Sequence, residues 1–395
     1  MIYARKILPK IEKYLKSKEI IVLTGMRRTG KTTLYRMIFD GIKSKNKIFL
    51  DIENPLDQKI FEEENYDNIP FNFKELGIDT KKKAYVFLDE IQAMPQIVRA
   101  IKYLYDHYDI KFFVTGSSSF YLKNVFPESL AGRKFIFEIF PLDFEEFLTF
   151  KEVSRTRKFY KTFRQKDQNK NAIFYEKNKK LYDEYMEYGG FPGVVLAQSH
   201  DEKKMKLKDI FKSYFEKDVK NLADFREIKA LRDLMLLLMQ RTGSKLEITK
   251  LASELGISRE TVYSFLSFLE GTYFIHFIEP FSRNVDREVS GGKKVYLCDN
   301  GILNHFAKIS EGSLFENSVF LNLKKYGKIN FYQKRSGGEI DFIVDKKIAL
   351  EIKTKGTDQD LSKLMSIAKS LKIRQYYLIT REFDKKNKFI PAMEI

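Results

Sequence analysis

The stretch GMRRTGKTTL, residues 25–34, follows the apolar run IIVLT (20–24) and opens a segment with helical spacing. Gly25-x-x-x-x-Gly30-Lys31-Thr32 fits a phosphate-binding loop in the setting that motif requires, after a strand and before a helix. Glycines let backbone N–H groups curl around phosphates, and the following helix N-terminus favours an anion. Lys31 is expected to reach the β and γ phosphates of ATP, and Thr32 to hold Mg²⁺. Gly25, Arg27, Arg28, Thr29, Gly30 and Thr33 complete the expected nucleotide cradle.

Working outward, KIFLDI (47–52), AYVFLDE (84–90), KFFVTG (111–116) and KFIFEIF (134–140) repeat the pattern of a short apolar strand ending in polar residues. Helix-like runs such as IVRAIKYLYDHY lie between them. Alternating strand and helix predicts an α/β fold with a parallel sheet whose ligands gather at the strands' carboxyl ends. The acids there are Asp89, expected to hold Mg²⁺ with Thr32, and Glu90, expected to polarise the attacking water. Thr115 and Ser117, one strand on, are candidates to sense the γ-phosphate. Arg133, opening the fifth strand, is the candidate to neutralise transition-state charge, from its own chain or a neighbour's. Arg27 and Arg28 could serve instead.

Residues 175–225 read as helical, broken by the turn signal GGFPG (189–193). A helix at 230–241 leads to ITKLASELG and ISRETVYSFLSFLEG, where Val262, Phe265, Leu266 and Leu269 form one apolar face and Ser258 is a natural N-cap. This is a helix-turn-helix with strands after it for a wing. Its second helix offers a single basic residue, Arg259, so structural or protein-binding use competes with base reading. The chain then runs to GGEIDFIVDKKIALEIKTK (337–355). On a strand i and i+2 share a face, so Glu351 points with Lys353, and Glu339 with Asp341. From this pattern a metal-dependent nuclease centre, the relic of one and an amphipathic hairpin all stay open.

The chain has 395 residues, which implies two to four domains. It carries one cysteine, Cys298, and four histidines, which excludes an internal disulfide and argues against a zinc site. No apolar run approaches membrane-spanning length and the N-terminus does not resemble a signal peptide, so a cytoplasmic location without membrane contact is expected. The net charge of +17 favours polyanions, DNA first, with a lysine-rich composition as the plain alternative. Residues 151–180 hold eleven Lys/Arg against three acids, interleaved with Phe and Tyr. That tract suits a nucleic-acid backbone or a solvated insertion equally.

GMRRTGKTTL, YVFLDEIQ, FFVTGSSSF, SLAGRKFIFEIFPLDFEEF, YGGFPGVV, VYLCDNGIL and SLFENSVFLNL…FYQKRSGGEIDFIV…ALEIK occur in that order. The chain thereby resembles prokaryotic, largely archaeal, AAA-type P-loop ATPases with a C-terminal DUF4143 domain. The likeness covers nearly the whole chain. It departs at Asp299-Asn300-Gly301, where the family has Asp-Thr-Gly, and the basic tract matches none of these motifs. The resemblance implies an AAA+-like ATPase domain (1–150), a basic helical linker (151–228), a winged helix-turn-helix (229–285) and a PD-(D/E)XK nuclease-like α/β domain (286–395). In such a domain Glu316 supplies the helix acid, and with Asp341 and Glu351 would hold a second Mg²⁺ or Mn²⁺ beside Lys353. The expected function is Mg-ATP hydrolysis coupled to action on DNA. The alternatives are a nucleotide-controlled switch binding a protein partner, or a helix-turn-helix transcriptional regulator with a degenerate nuclease fold. Homo-oligomers are compatible with each.

Overall fold

The computed structural model describes residues 3–116, 130, 132–153, 160–219, 225–282 (side chains from 228), 292–334 and 337–395. The chain divides into two compact units, Met1–Phe140 with Gly271–Tyr273, and Pro141–Glu270 with Phe274–Ile395.

The first unit is built on five parallel strands: β1 (Ile20–Thr24), β2 (Lys47–Asp51), β3 (Ala84–Asp89), β4 (Ile110–Gly116) and β5 (Lys134–Glu138). Their order across the sheet is β2-β3-β4-β1-β5. Every residue of β1 is buried because both faces are covered, which is why it reads as a continuous apolar run. Ile20 and Val22 face a core with Phe112, Ile101 and Leu104. Ile21 and Leu23 face the opposite core with Leu34, Tyr35, Phe87 and Phe113. Helix α1 (Lys31–Gly41) begins directly after Gly30, whose φ of 89° is a left-handed conformation that glycine adopts without strain. Helix α2 (Ile97–His107) packs Ile97, Ile101 and Leu104 on one face and connects β3 to β4.

The second unit holds α3 (Ala172–Tyr188), α4 (Phe225–Gln240), α5 (Ile248–Leu255), α6 (Arg259–Gly271), α7 (Asn300–Phe306), α8 (Glu311–Leu323) and α9 (Asp358–Ser370). Its strands are β6 (Ile275–Pro280), β7 (Lys294–Leu297), β8 (Ile329–Gln333), β9 (Glu339–Val344), β10 (Ile348–Lys353), β11 (Gln375–Thr380) and β12 (Phe389–Pro391). They form one sheet, ordered β12-β11-β10-β9-β8-β6-β7. Helices α5 and α6 meet across Gly256, left-handed at φ 65°, and Ser258, whose Oγ accepts from Thr261 N at 3.1 Å as the N-cap residue read in the sequence. The β6–β7 pair that follows is antiparallel, while β6 joins β8 in parallel, so this hairpin is continuous with the final sheet.

Two distant motifs close on each other here. The buried Asp299 carboxylate accepts from Gly190 N at 2.7 Å, Gly301 N at 2.8 Å and Ile302 N at 3.1 Å. A Cβ on Gly189 would lie 2.1 Å from Asp299 Oδ1, and one on Gly190 would lie 2.2 Å from Leu142 O. The first two glycines of GGFPG are therefore a docking surface for the aspartate of CDNG.

The described part of the basic tract from residue 160 onward is folded into this unit. Lys166 is 1% exposed and donates to Glu394 O, and Lys170 pairs with Asp167 at 3.2 Å and donates to Phe389 O at 2.9 Å. Phe163 packs on Tyr326 and Tyr377, at 5.2 and 5.9 Å between ring centroids. Among the described residues no helix is long and apolar enough to cross a membrane.

Candidate functional site

The loop after β1 curls at the carboxyl edge of the parallel sheet. Gly25 has φ 148°, and a Cβ there would sit 2.1 Å from Ile139 O. Lys31, 5% exposed, turns back to donate to Gly25 O and Met26 O, both at 3.0 Å. Thr29 Oγ1 donates to Met26 O at 2.9 Å. Outside the loop, Arg5 donates to Thr29 O at 2.9 Å and Phe140 O at 2.8 Å, tying the loop backbone to the segment after β5. Arg27 is half-buried and Arg28 is exposed at φ 65°, while Thr32 and Thr33 face solvent on the first turn of α1.

Strand β4 lies between β1 and β3, which puts Thr115, paired with Leu23, between the loop and the acids. Thr115 Oγ1 donates to Asp89 Oδ1 and accepts from Glu90 N at 3.1 Å. The Thr32 hydroxyl also bonds Asp89. Burial raises the Asp89 carboxyl above its ordinary value, and the Glu90 charge adds to this against the two hydroxyl bonds. Glu90 is left-handed at φ 53°, and its Oε2 accepts from Gln92 Nε2. Thr24 Oγ1 is buried with no hydrogen-bond partner among the described residues. A buried acid flanked by two hydroxyls suits a hard cation that prefers oxygen donors. The residues that would hold Mg²⁺ are Asp89 and Thr32.

A second concentration of charge lies on the β7–β10 sheet. Asp341, 7% exposed, accepts from Ile352 N at 2.8 Å. Glu351 Oε1 accepts from Lys353 Nζ at 2.9 Å, while Glu351 Oε2 is buried with no partner among the described residues. Glu316 on α8 accepts from Tyr296 OH at 2.6 Å, with Lys294 Nζ at 4.0 Å. Burial, and after it the charge of Asp341, pushes Glu316 and Glu351 each up to about 7. Burial likewise raises Asp341.

Three family models match the chain: an AAA domain over residues 17–148, a domain of unknown function (DUF8612) over 179–313 and a domain of unknown function (DUF4143) over 311–394. The uncharacterized protein MJ1544 of Methanocaldococcus jannaschii is 30% identical over 349 residues, covering 85% of this chain and 74% of that protein. The chain belongs to the MJ1544 family. An uncharacterized Haemophilus influenzae protein is 27% identical over 362 residues, covering 88% of this chain and 84% of its own. Among solved structures, the Aeropyrum pernix ORC1 protein in complex with DNA aligns with 80% of this chain and 93% of that one at 12% identity. Its TM-score of 0.32 is too low to carry an argument.

Within this MJ1544-family chain the structure gathers Lys31, Thr32, Asp89, Glu90 and Thr115 at one edge of the sheet. Ser117 lies outside the described residues. Arg133, expected to act on its own chain's nucleotide or a neighbour's, is not among the residues gathered there. Strands β1 and β5 run parallel with Ile20 opposite Lys134 and Thr24 opposite Glu138. Arg133 therefore stands at the amino edge, six strand steps or roughly 20 Å along the strands from Gly25. Its Nε pairs with Asp106 Oδ1 at 3.2 Å. It does not meet the nucleotide site of its own chain.

The metal set expected at Glu316, Asp341 and Glu351 also needs correction. The charges are close enough to perturb one another, but no three His, Cys, Asp or Glu among the described residues converge in metal-holding geometry. Tyr296, the Ile352 N–H and Lys353 each occupy one carboxylate. The sequence reading missed Lys294 and Tyr296, although their i, i+2 spacing on β7 puts both on one face. It also missed Arg5, for which no local pattern exists.

Proposed function

We propose that this chain is a Mg-ATP-hydrolysing AAA-type ATPase that acts on DNA, with a nuclease-like second unit. The observation that carries the first part is the meeting of Lys31, Thr32, Asp89, Glu90 and Thr115 at the carboxyl edge of a parallel sheet. Lys31 donates to the loop carbonyls of Gly25 and Met26 and exchanges them for β and γ phosphate oxygens when ATP enters. Mg²⁺, when bound, neutralises charge on the β and γ phosphates. Glu90 accepts a proton from the attacking water, and Thr115 fixes Asp89 and Glu90 relative to each other.

The net charge of +17 supports a polyanionic target. The buried Glu316, Asp341 and Glu351 beside Lys353 support descent from a metal-dependent nuclease. Their occupation by Tyr296, the Ile352 N–H and Lys353 favours a version that binds more than it cuts. ATP turnover measured alone and with single-stranded, duplex and branched DNA tests the reading. DNA should raise the rate, with salt-dependent binding, and Lys31→Ala should abolish turnover. An unchanged rate with salt-independent binding would sink the DNA part, and turnover by Lys31→Ala would sink the ATPase part. Mg²⁺- or Mn²⁺-dependent cleavage lost in Asp341→Ala would restore the nuclease; none in either protein marks a relic.

A further inference from the structure

Within LDEIQ the residue that the ATPase reading leaves unused is Gln92. It lies on the single 3-10 turn Ile91–Ala93 that follows β3, two residues past Glu90. Its amide nitrogen donates to Glu90 Oε2. Its amide oxygen is buried and has no hydrogen-bond partner among the described residues. The assignment of the two amide atoms follows from chemistry. A carboxylate only accepts, so the NH₂ end must face Glu90 and the oxygen must be the orphan. Buried acceptors are nearly always matched, so one left bare beside a catalytic acid marks a place for a donor.

The surroundings fix where that donor would be. Glu90 is held at φ 53°, a left-handed conformation that bulky residues rarely keep unless neighbours impose it. The neighbour is Thr115, whose hydroxyl accepts the Glu90 N–H at 3.1 Å and donates to Asp89. Backbone and side chain of Glu90 are thus each tied once, by Thr115 and by Gln92.

We infer that Gln92 binds the attacking water together with Glu90. Water has two hydrogens and Glu90 takes one. The second needs an acceptor that does not itself remove a proton, and a neutral amide oxygen is such a group. In the step, the water oxygen bonds to the γ-phosphorus as the bond from phosphorus to the β–γ bridging oxygen breaks. One proton passes to Glu90 and later leaves with the products. The other stays on the new phosphate oxygen, held by Gln92 Oε1, and ADP departs with the bridging oxygen. This inference rests on the ATPase reading of the site.

The test compares wild type, Gln92→Ala and Lys31→Ala, with and without duplex DNA. Gln92→Ala should bind ATP and ADP with beryllium fluoride within twofold of wild type, because neither ligand carries the water. Its turnover should fall on the order of 100-fold, as for loss of one positioned group at the reacting centre. ADP with aluminium fluoride, whose axial oxygen stands where the water does, should bind at least tenfold more weakly. Turnover within threefold of wild type overturns the inference. So does equal weakening of every ligand, which a merely structural role would produce. If wild type binds ATP and never hydrolyses it, the ATPase reading falls and Gln92's role with it. If wild type turns over and Lys31→Ala does not, that reading stands and Gln92→Ala alone decides.

Discussion

Replacing Glu316 by glutamine should make the second unit more stable at pH 8 and leave it unchanged at pH 5. Burial and the Asp341 charge push Glu316 up to about 7 from 4.5. A folded state with a raised acid binds more protons than the unfolded chain between those values. Its stability is therefore largest at low pH and declines as pH rises through that window. For one such acid, linkage between pH 5 and pH 8 amounts to about 2.5 kcal/mol. Glutamine mimics the protonated acid in shape and can still accept from Tyr296 OH. Other acids, such as Glu184 and Asp360, are lowered and pull the wild-type slope the opposite way. The readout is therefore the variant minus wild type. Cys298 is the single cysteine and is buried in this unit, so a maleimide pulse after urea equilibration reports its opening. In chelator, the variant should match wild type at pH 5 and exceed it by about 2 kcal/mol at pH 8. An identical pH slope in the two proteins, or a variant less stable at pH 8, would refute the reasoning.

Gly25→Ala should weaken ATP at least 100-fold without moving the Cys298 transition, because its Cβ would sit 2.1 Å from a backbone oxygen that cannot yield; equilibrium binding of a fluorescent ATP analogue measures it. Arg133→Ala should leave that affinity within twofold and cost under about 1 kcal/mol in urea unfolding, since its pairing with Asp106 is solvent-exposed and remote from the loop. Asp299→Ala should cost about 3–5 kcal/mol by leaving three buried N–H groups unmatched, and Asp299→Asn less because the amide oxygen still accepts. The shift in Cys298 protection under urea distinguishes the last pair.

Strands β1, β3 and β4 were legible because each is a short apolar run buried on both faces, the edge strands β2 and β5 because they repeat that pattern, and the loop because its residues are contiguous. The distance of Arg133 from its own chain's loop could not be read from the sequence. Opening a strand and ending it look alike until the pairing is known, and parallel pairing of β5 with β1 sends the start of β5 away from the loop. GGFPG was readable as a turn but not as the seat of Asp299, because 109 residues separate Gly190 from its acceptor. The alternating charges of β9 and β10 correctly put Asp341, Glu351 and Lys353 in one neighbourhood. What alternation could not give was the competing donor from β7. Nor does LDEIQ reveal which way the Gln92 amide turns, since that is set by the Glu90 carboxylate across a tight turn.

A net charge of +17 becomes a footprint only where the cations remain available. In the second unit several do not. Lys166 and Lys170 bond backbone carbonyls, and Lys151 and Lys203 share Glu184 at 2.8 and 2.7 Å. Lys111 in the first unit is likewise turned inward, onto Tyr14 O at 3.0 Å, and burial pulls it down to about 8. Carbonyl-bound lysines keep their charge and so still contribute to the long-range field that draws a polyanion in. They offer no ammonium to a phosphate, however, and release no counterion on contact. Attraction and contact are therefore separated at these lysines. If the proposed DNA partner is right, these lysines speak to how fast it arrives more than to how many phosphates are held once it does.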